Sequence, residues 1–201
     1  MASIVVAGDT SGTVTLTAPA TAGTTTLTLP TANGTLITTG SSGQSIPYAA
    51  LPIGSVLQVV QTTKPDTFST SSTSKVDITG MSVSITPTSS SSKMLVIASI
   101  NYGGTDYNFY CDLLRGSTVL NAPSSGVNPC TISLSGITTT QWQILTGGIS
   151  FLDSPPPASS ITYKLQIACQ TNGTFYLNRS NRNGANDSVC SSTITVMEIS
   201  A

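Results

Sequence analysis

The chain has 201 residues, seven Lys and Arg, eight Asp and Glu, no histidine and a formal net charge of −1. Charged residues make up only 7% of it, against about 25% in ordinary globular proteins. That balance leaves no basic patch for nucleic acid, no apolar run long enough to enter a membrane and none of the imidazoles that most often serve as general base.

Serine and threonine supply nearly a third of the residues, and eleven prolines and seventeen glycines punctuate short segments. No window shows a 3.6-residue apolar stripe, so the pattern predicts an all-β chain. Met1–Ala7 lacks a positive n-region and is too short for a signal peptide. The expectation is synthesis in a cytoplasm without export by that route.

Ile4-Val5-Val6 forms an apolar tip before Gly8-Asp9. From Gly12 to Gly40 the chain repeats with a spacing of eleven. Gly12, Gly23 and Gly34 are each followed by threonine; Pro19 and Pro30 keep the spacing, as do Leu16 and Leu27. Each unit predicts a short Thr-rich strand closed by a Pro or Gly turn, with the third unit drifting out of register. The large apolar side chains here are Val14, Leu16, Leu27, Leu29, Leu36 and Ile37. They are too few to offset a backbone ordering cost of about 1–2 kcal/mol per residue. The segment reads as an extended β arm that orders against other copies of itself or against the body it is mounted on, with those six residues as its contacts.

Ser41 to Pro47 is a linker by composition, and Tyr48 to Pro52 adds a turn or a short helical turn. The boundary therefore divides an arm and linker, 1–53, from a body, 54–201. In the body, Val56 to Val60 and Met94 to Ile100 read as strands buried on both faces. Lys64 to Ser74 reads as a polar loop, and so does the serine run Ser89 to Ser92. Val76-Asp77-Ile78 and Met81 to Ile85 alternate on either side of Thr79-Gly80. Phe109 to Leu114 and Val119-Leu120 flank a turn at Arg115-Gly116-Ser117. Ile132 and Leu134 alternate with serines.

Trp142 to Ile144 and Ile149 to Phe151 surround Gly147-Gly148, read as a bulge or bend, and Pro155 to Pro157 ends that strand. Ile161 to Cys169 alternates strictly. Asn172-Gly173 suits a two-residue hairpin into Phe175 to Leu177. Asn178 to Val189 is a polar loop, and Thr193 to Ile199 is the last strand. Roughly ten short strands separated by turn signals predict an antiparallel β-sandwich of jelly-roll type.

The chemistry-bearing residues are sparse. Cys111, Cys130, Cys169 and Cys190 form no C-x-x-C pair, and no histidine completes a zinc site. Cys111 and Cys169 lie in apolar strand patterns and read as buried thiols; a disulfide between some pair stays open. The acids are scattered singly, so neither a paired-carboxylate glycosidase site nor a D-x-D-x-D-G calcium loop is visible. Asp106, Asp112 and Asp187 are expected to be solvated loop carboxylates. No catalytic constellation, cofactor or metal is expected.

The densest polar cluster is Asn178-Arg179-Ser180-Asn181-Arg182-Asn183, with Tyr176 nearby. Tyr176, Arg179, Asn181, Arg182 and Asn183 are candidate glycan contacts, because amide, guanidinium and aromatic groups suit hydroxyl-rich ligands; the competing reading is a solvated tip. Tyr102 to Tyr110, with three tyrosines beside Gly103-Gly104, is a second candidate, set against core or oligomer-interface packing. Four glycosylation sequons, such as Asn178-Arg179-Ser180, arise by chance in so Asn- and Thr-rich a chain.

The run from Gly8 through Gly23, GDTSGTVTLTAPATAG, followed by Leu27-Thr28-Leu29-Pro30 and Gly34-Thr35-Leu36, resembles the N-terminal segment of many virion proteins of tailed phages, particularly those of marine and cyanobacterial hosts. Gly54 to Gln61 and the closing Ser192 to Ile199 resemble the start and end of the knob domain in phage fibre-like proteins. The resemblance covers the arm and the two ends of the body. It implies a homotrimer with an N-terminal virion anchor and a C-terminal β-sandwich knob, and it carries no catalytic residues.

Three functions follow as expectations. The first is a short trimeric fibre at the tail or head, whose arm contacts other virion proteins and whose knob faces outward, toward host-surface glycan. The second is a capsid decoration or cement protein. The third is a glycan-degrading tailspike, which the short chain disfavours.

Overall fold

The computed structural model describes residues 3–7, 13–17, 51–136, 142–154 and 159–201. The chain divides into two compact units, 1–45 and 46–201. In the first, β1 (Ser3–Ala7) pairs antiparallel with β2 (Thr13–Thr17). Ile4 lies opposite Leu16, and Val6 opposite Val14. The apolar tip is therefore the strand partner of the first repeat. The other arm residues, Leu27, Leu29, Leu36 and Ile37, lie outside the described residues, as do Tyr48 to Ala50.

The second unit is all-β and antiparallel. Its strands are β3 (Val56–Lys64), β4 (Phe68–Thr70), β5 (Val76–Ile85), β6 (Lys93–Gly104), β7 (Asn108–Arg115), β8 (Thr118–Leu120), β9 (Ile132–Ser135), β10 (Leu145–Asp153), β11 (Ile161–Cys169), β12 (Phe175–Leu177) and β13 (Ser192–Ile199). No described residue is helical. One sheet, built on β6, runs β3-β13-β6-β10, with β12 and β4 extending it at the far end of β6. The other, built on β7, runs β5-β11-β7, with β8 and β9 pairing further stretches of β7.

Alternating residues of the two sheets meet in one core. Met94, Val96, Ala98 and Ile100 of β6 and Ile194 and Val196 of β13 share it with Tyr163, Leu165 and Ile167 of β11 and Phe109, Cys111 and Leu113 of β7. Tyr102 stacks on Phe175 at 5.9 Å between ring centroids, and Phe109 meets Phe175 edge-on at 5.2 Å. Aromatic pairs in these geometries add to the burial of their own area. Cys111 and Cys169 are buried, as the strand pattern implied, and all four thiols are free. Burial pushes the Cys111 thiol up to about 12.

Several local expectations are corrected. Lys64 to Ser74 is not simply a loop: Lys64 ends β3, and Phe68–Thr70 pairs with β12. The two alternating segments around Thr79-Gly80 are one strand, because β5 absorbs the turn signal as a bulge. Asp77 to Ser82 faces only Gln166 to Lys164, and Gly80 supplies the left-handed φ of 84°.

Gly147-Gly148 is not a bulge either, since β10 pairs with β6 in unbroken register through both. Gly147 is instead a close-packing position, where a Cβ would collide with the Leu134 side chain. Asn172-Gly173 does not close a hairpin: β11 belongs to the β7 sheet and β12 to the β6 sheet, so the chain crosses between sheets there. Finally, β3 and β6 are not buried on both faces, because Val56, Val59 and Ile97 are exposed.

Candidate functional site

The loop after β12 is built around Asn178. Its backbone takes a left-handed φ of 63°, a conformation Asn tolerates better than most residues. Its buried amide donates to Lys64 O at 2.7 Å and Asp66 O at 2.8 Å, and its Oδ1 accepts from Ser192 Oγ at 2.6 Å. One side chain thus ties together the end of β3, the end of β12 and the start of β13. Gly103 lets the loop cross β6 closely, since a Cβ there would sit 2.7 Å from Arg179 O.

Asp187 folds the rest of the loop. It accepts from Ser180 Oγ and from Gly184 N, both at 2.8 Å, and from Arg182 Nε at 3.1 Å, with a second Arg182 bond from Nη2. The Arg182 guanidinium, with the Gly184 N–H next in importance, holds the Asp187 carboxyl well below the usual carboxylate range. A carboxylate with several donors stays ionised.

The five predicted glycan residues are therefore gathered on one loop and its lead-in strand, with different freedoms. Arg179 lies over the Tyr176 ring at 3.9 Å, so one aromatic face is already covered. Asn181 is half-buried, and Arg182 and Asn183 are exposed. The residue that sequence reasoning missed is Trp142. It is 61% exposed and lies 5.6 Å from the Arg182 guanidinium. It stands 40 positions away in the chain; the only available signal was that it is the single tryptophan. An exposed indole beside a guanidinium fixed by Asp187 offers a flat apolar face with hydrogen-bond donors next to it.

The second candidate separates differently. Tyr102 and Phe109 are core residues, and Tyr102 Oη donates to Ser135 O at 3.1 Å, whereas Tyr107 is exposed. Two clefts lie elsewhere among the described residues; none of the five glycan candidates lines either, and Tyr110 of the second candidate lines one. One of about 370 Å³ lies beside Leu57, Thr88, Ser92 and Ala201; the other, of about 350 Å³, lies beside Lys75, Tyr110, Val127 and Asn128.

The acids differ most from expectation. Asp106 and Asp112, expected in solvent, are buried, and the side chain of Asp187, expected there too, is only 5% exposed; Asp153 and Glu198 are buried as well. Asp106 accepts from Thr171 N and Thr171 Oγ1, both at 2.7 Å, and from Tyr107 N at 2.8 Å. Burial pushes its carboxyl up, but these donors together outweigh it and hold it below the ordinary value. Asp112 pairs with Lys75 at 2.9 Å and accepts from Thr131 N.

Asp153 of β10 takes two bonds from Arg115 Nη1, at 2.7 and 2.8 Å, and one from Tyr163 Oη at 2.7 Å. Glu198 accepts from Gln58, Thr88 N and Thr88 Oγ1. These carboxylates are pins between strands and loops, each with its own donors. Among the described residues, no three His, Cys, Asp or Glu side chains group to hold a metal ion, and no helix is long and apolar enough to cross a membrane.

No family model matches the chain, and no curated protein matches it.

Proposed function

We propose that this chain is a non-enzymatic structural protein of a tailed-phage particle: a short trimeric appendage whose residues 1–53 anchor and oligomerise it and whose residues 54–201 form an outward-facing jelly-roll knob. The observation that carries this reading is the strand order. Leaving aside the three-residue strands β4, β8 and β12, the two sheets run β3-β13-β6-β10 and β5-β11-β7-β9, an order that supports a jelly roll, the plan that viral capsid and lectin domains share. The arm's repeat and its resemblance to phage N-terminal segments supply the particle.

In this reading the knob touches host-surface glycan at the Trp142–Arg182–Asn183 corner, and Asp187 fixes the guanidinium beside the indole. Three weak sites on one axis gain avidity without new contacts. Two measurements test it. Antibody raised against the 54–201 body is expected to decorate intact tailed particles released by cells expressing the chain; label found only on soluble protein would refute the assignment. On an array of bacterial surface polysaccharides, the full-length protein is expected to bind, and Trp142→Ala to abolish binding with its folded spectrum unchanged. Equal binding by Trp142→Ala would remove the corner from the reading.

A further inference from the structure

We infer that the solvent face of the β6 sheet is where the bodies of neighbouring copies of this chain meet. The register places Val59, Met197, Leu95 and Leu152 side by side across β3, β13, β6 and β10. All four point away from the core. Val59 is 53% exposed and Leu152 48% exposed, with Met197 and Leu95 half-buried between them. The next row is Gln61, Thr195, Ile97 and Ser150, and the one after is Thr63, Thr193, Ser99 and Gly148. Ile97 remains 39% exposed at the centre of the sheet. A central strand that shows Ile to water, beside a four-strand apolar row, is an unpaired contact surface rather than scattered surface hydrophobics.

The occupant follows from the charges. None of those three rows contains an ionisable side chain; Lys93, opposite Ile199, stands one row beyond Leu95 at the rim of the patch. When copies turn this face toward a shared axis, equivalent residues near the axis approach one another, so a charge there would meet its own kind. Threonine, serine and glutamine side chains both donate and accept, so each can pair with a copy of itself. A different partner would impose no such neutrality.

The opposite face of the same body is built otherwise. On the β7 sheet, Lys164 pairs with Asp77 at 2.9 Å and Lys75 with Asp112 at 2.9 Å. Ser84 and Thr162 bond to each other at 2.8 Å across the exposed surface. That face is finished for water, and the β6 face is not.

This deepens the oligomer part of the proposed function and is independent of which particle carries the protein. The test is sedimentation of the full-length chain. Wild type is expected to sediment as an oligomer. The pair Val59→Asp and Leu152→Asp sets like charges against each other and is expected to weaken association about tenfold or more. The matched pair Ser82→Asp and Ser133→Asp, on the β7 sheet, is expected to leave it unchanged. Because Asp is a poor strand residue, Val59→Thr with Leu152→Thr repeats the experiment with a strand former, its fold checked by circular dichroism. An oligomer untouched by both β6-face pairs would overturn the inference and leave the arm as the oligomerising element. A monomeric wild type would overturn both the inference and the trimeric appendage.

Discussion

The two sheets share one core and differ in what they show to water. The outer side of the β7 sheet carries the Lys164–Asp77 pair, Lys75 over the buried Asp112, and bonded serine and threonine hydroxyls. The outer side of the β6 sheet carries an uncharged apolar row and neutral threonines. Both satisfy the alternation that builds a sandwich, so folding alone does not account for the difference. The β7 face carries paired charges, whereas the β6 face shows only Lys93, one row beyond its apolar row, and that contrast is the basis of the inferred contact.

The largest expected effect lies between the sheets. Asp153 of β10 accepts from Arg115 of β7 and Tyr163 of β11, joining one sheet to the other inside the body. Asp153→Ala strands a partly buried guanidinium and is expected to cost about 3–5 kcal/mol, read by urea unfolding. A loss under about 1 kcal/mol would mean the tie contributes no more than a surface pair. Next is Gly147→Val, which drives a branched side chain into Leu134 and is expected to cost about 1–3 kcal/mol or more. An unchanged midpoint would restore the bend reading of Gly147-Gly148.

Acid comes third. Folding holds the Asp106 and Glu198 carboxyls below their ordinary values, because their donors outweigh burial. The unfolded chain therefore binds protons first, and the stabilisation is full above the ordinary carboxylate range. It is lost as pH falls through that range toward the lower folded values. Urea midpoints measured from pH 7 down to pH 2 are expected to fall, with a shallower fall in Asp106→Asn. A flat profile would contradict the hydrogen-bond account of these acids.

The smallest effects sharpen the contrast between the faces. Asp77→Ala removes an exposed pair on the β7 sheet and is expected to cost at most about 1 kcal/mol, less in high salt, with no change in association. Leu152→Thr on the β6 sheet is expected to shift unfolding by no more than about 0.5 kcal/mol while loosening the oligomer. If both variants changed association equally, the distinction between the faces would fall.

What the sequence revealed follows the range of the forces involved. Ile161 to Cys169 was legible because its alternation is local and strict, and β13 for the same reason. The Thr79-Gly80 and Asn172-Gly173 signals were read correctly as turn chemistry but misplaced. Whether Gly80 ends a strand or bulges it depends on β11, and what Asn172-Gly173 joins depends on which sheet receives β12.

The candidate site was half legible. Its loop stood out by composition, but Trp142 comes from another segment, and the Arg179–Tyr176 stack is set by the loop path over Gly103. The burial of Asp106 and Asp112 was not legible because their donors, Thr171 and Thr131, lie 65 and 19 positions away. The neutral outer face escaped notice because it appears only when β3, β13, β6 and β10 are laid in register.

The most direct test of the whole account is the light-scattering mass of the full-length protein in solution. The account predicts three times the 20.5 kDa chain mass. A single-chain mass at the same protein concentration would contradict it, leaving a β body whose apolar face must be covered by something other than itself.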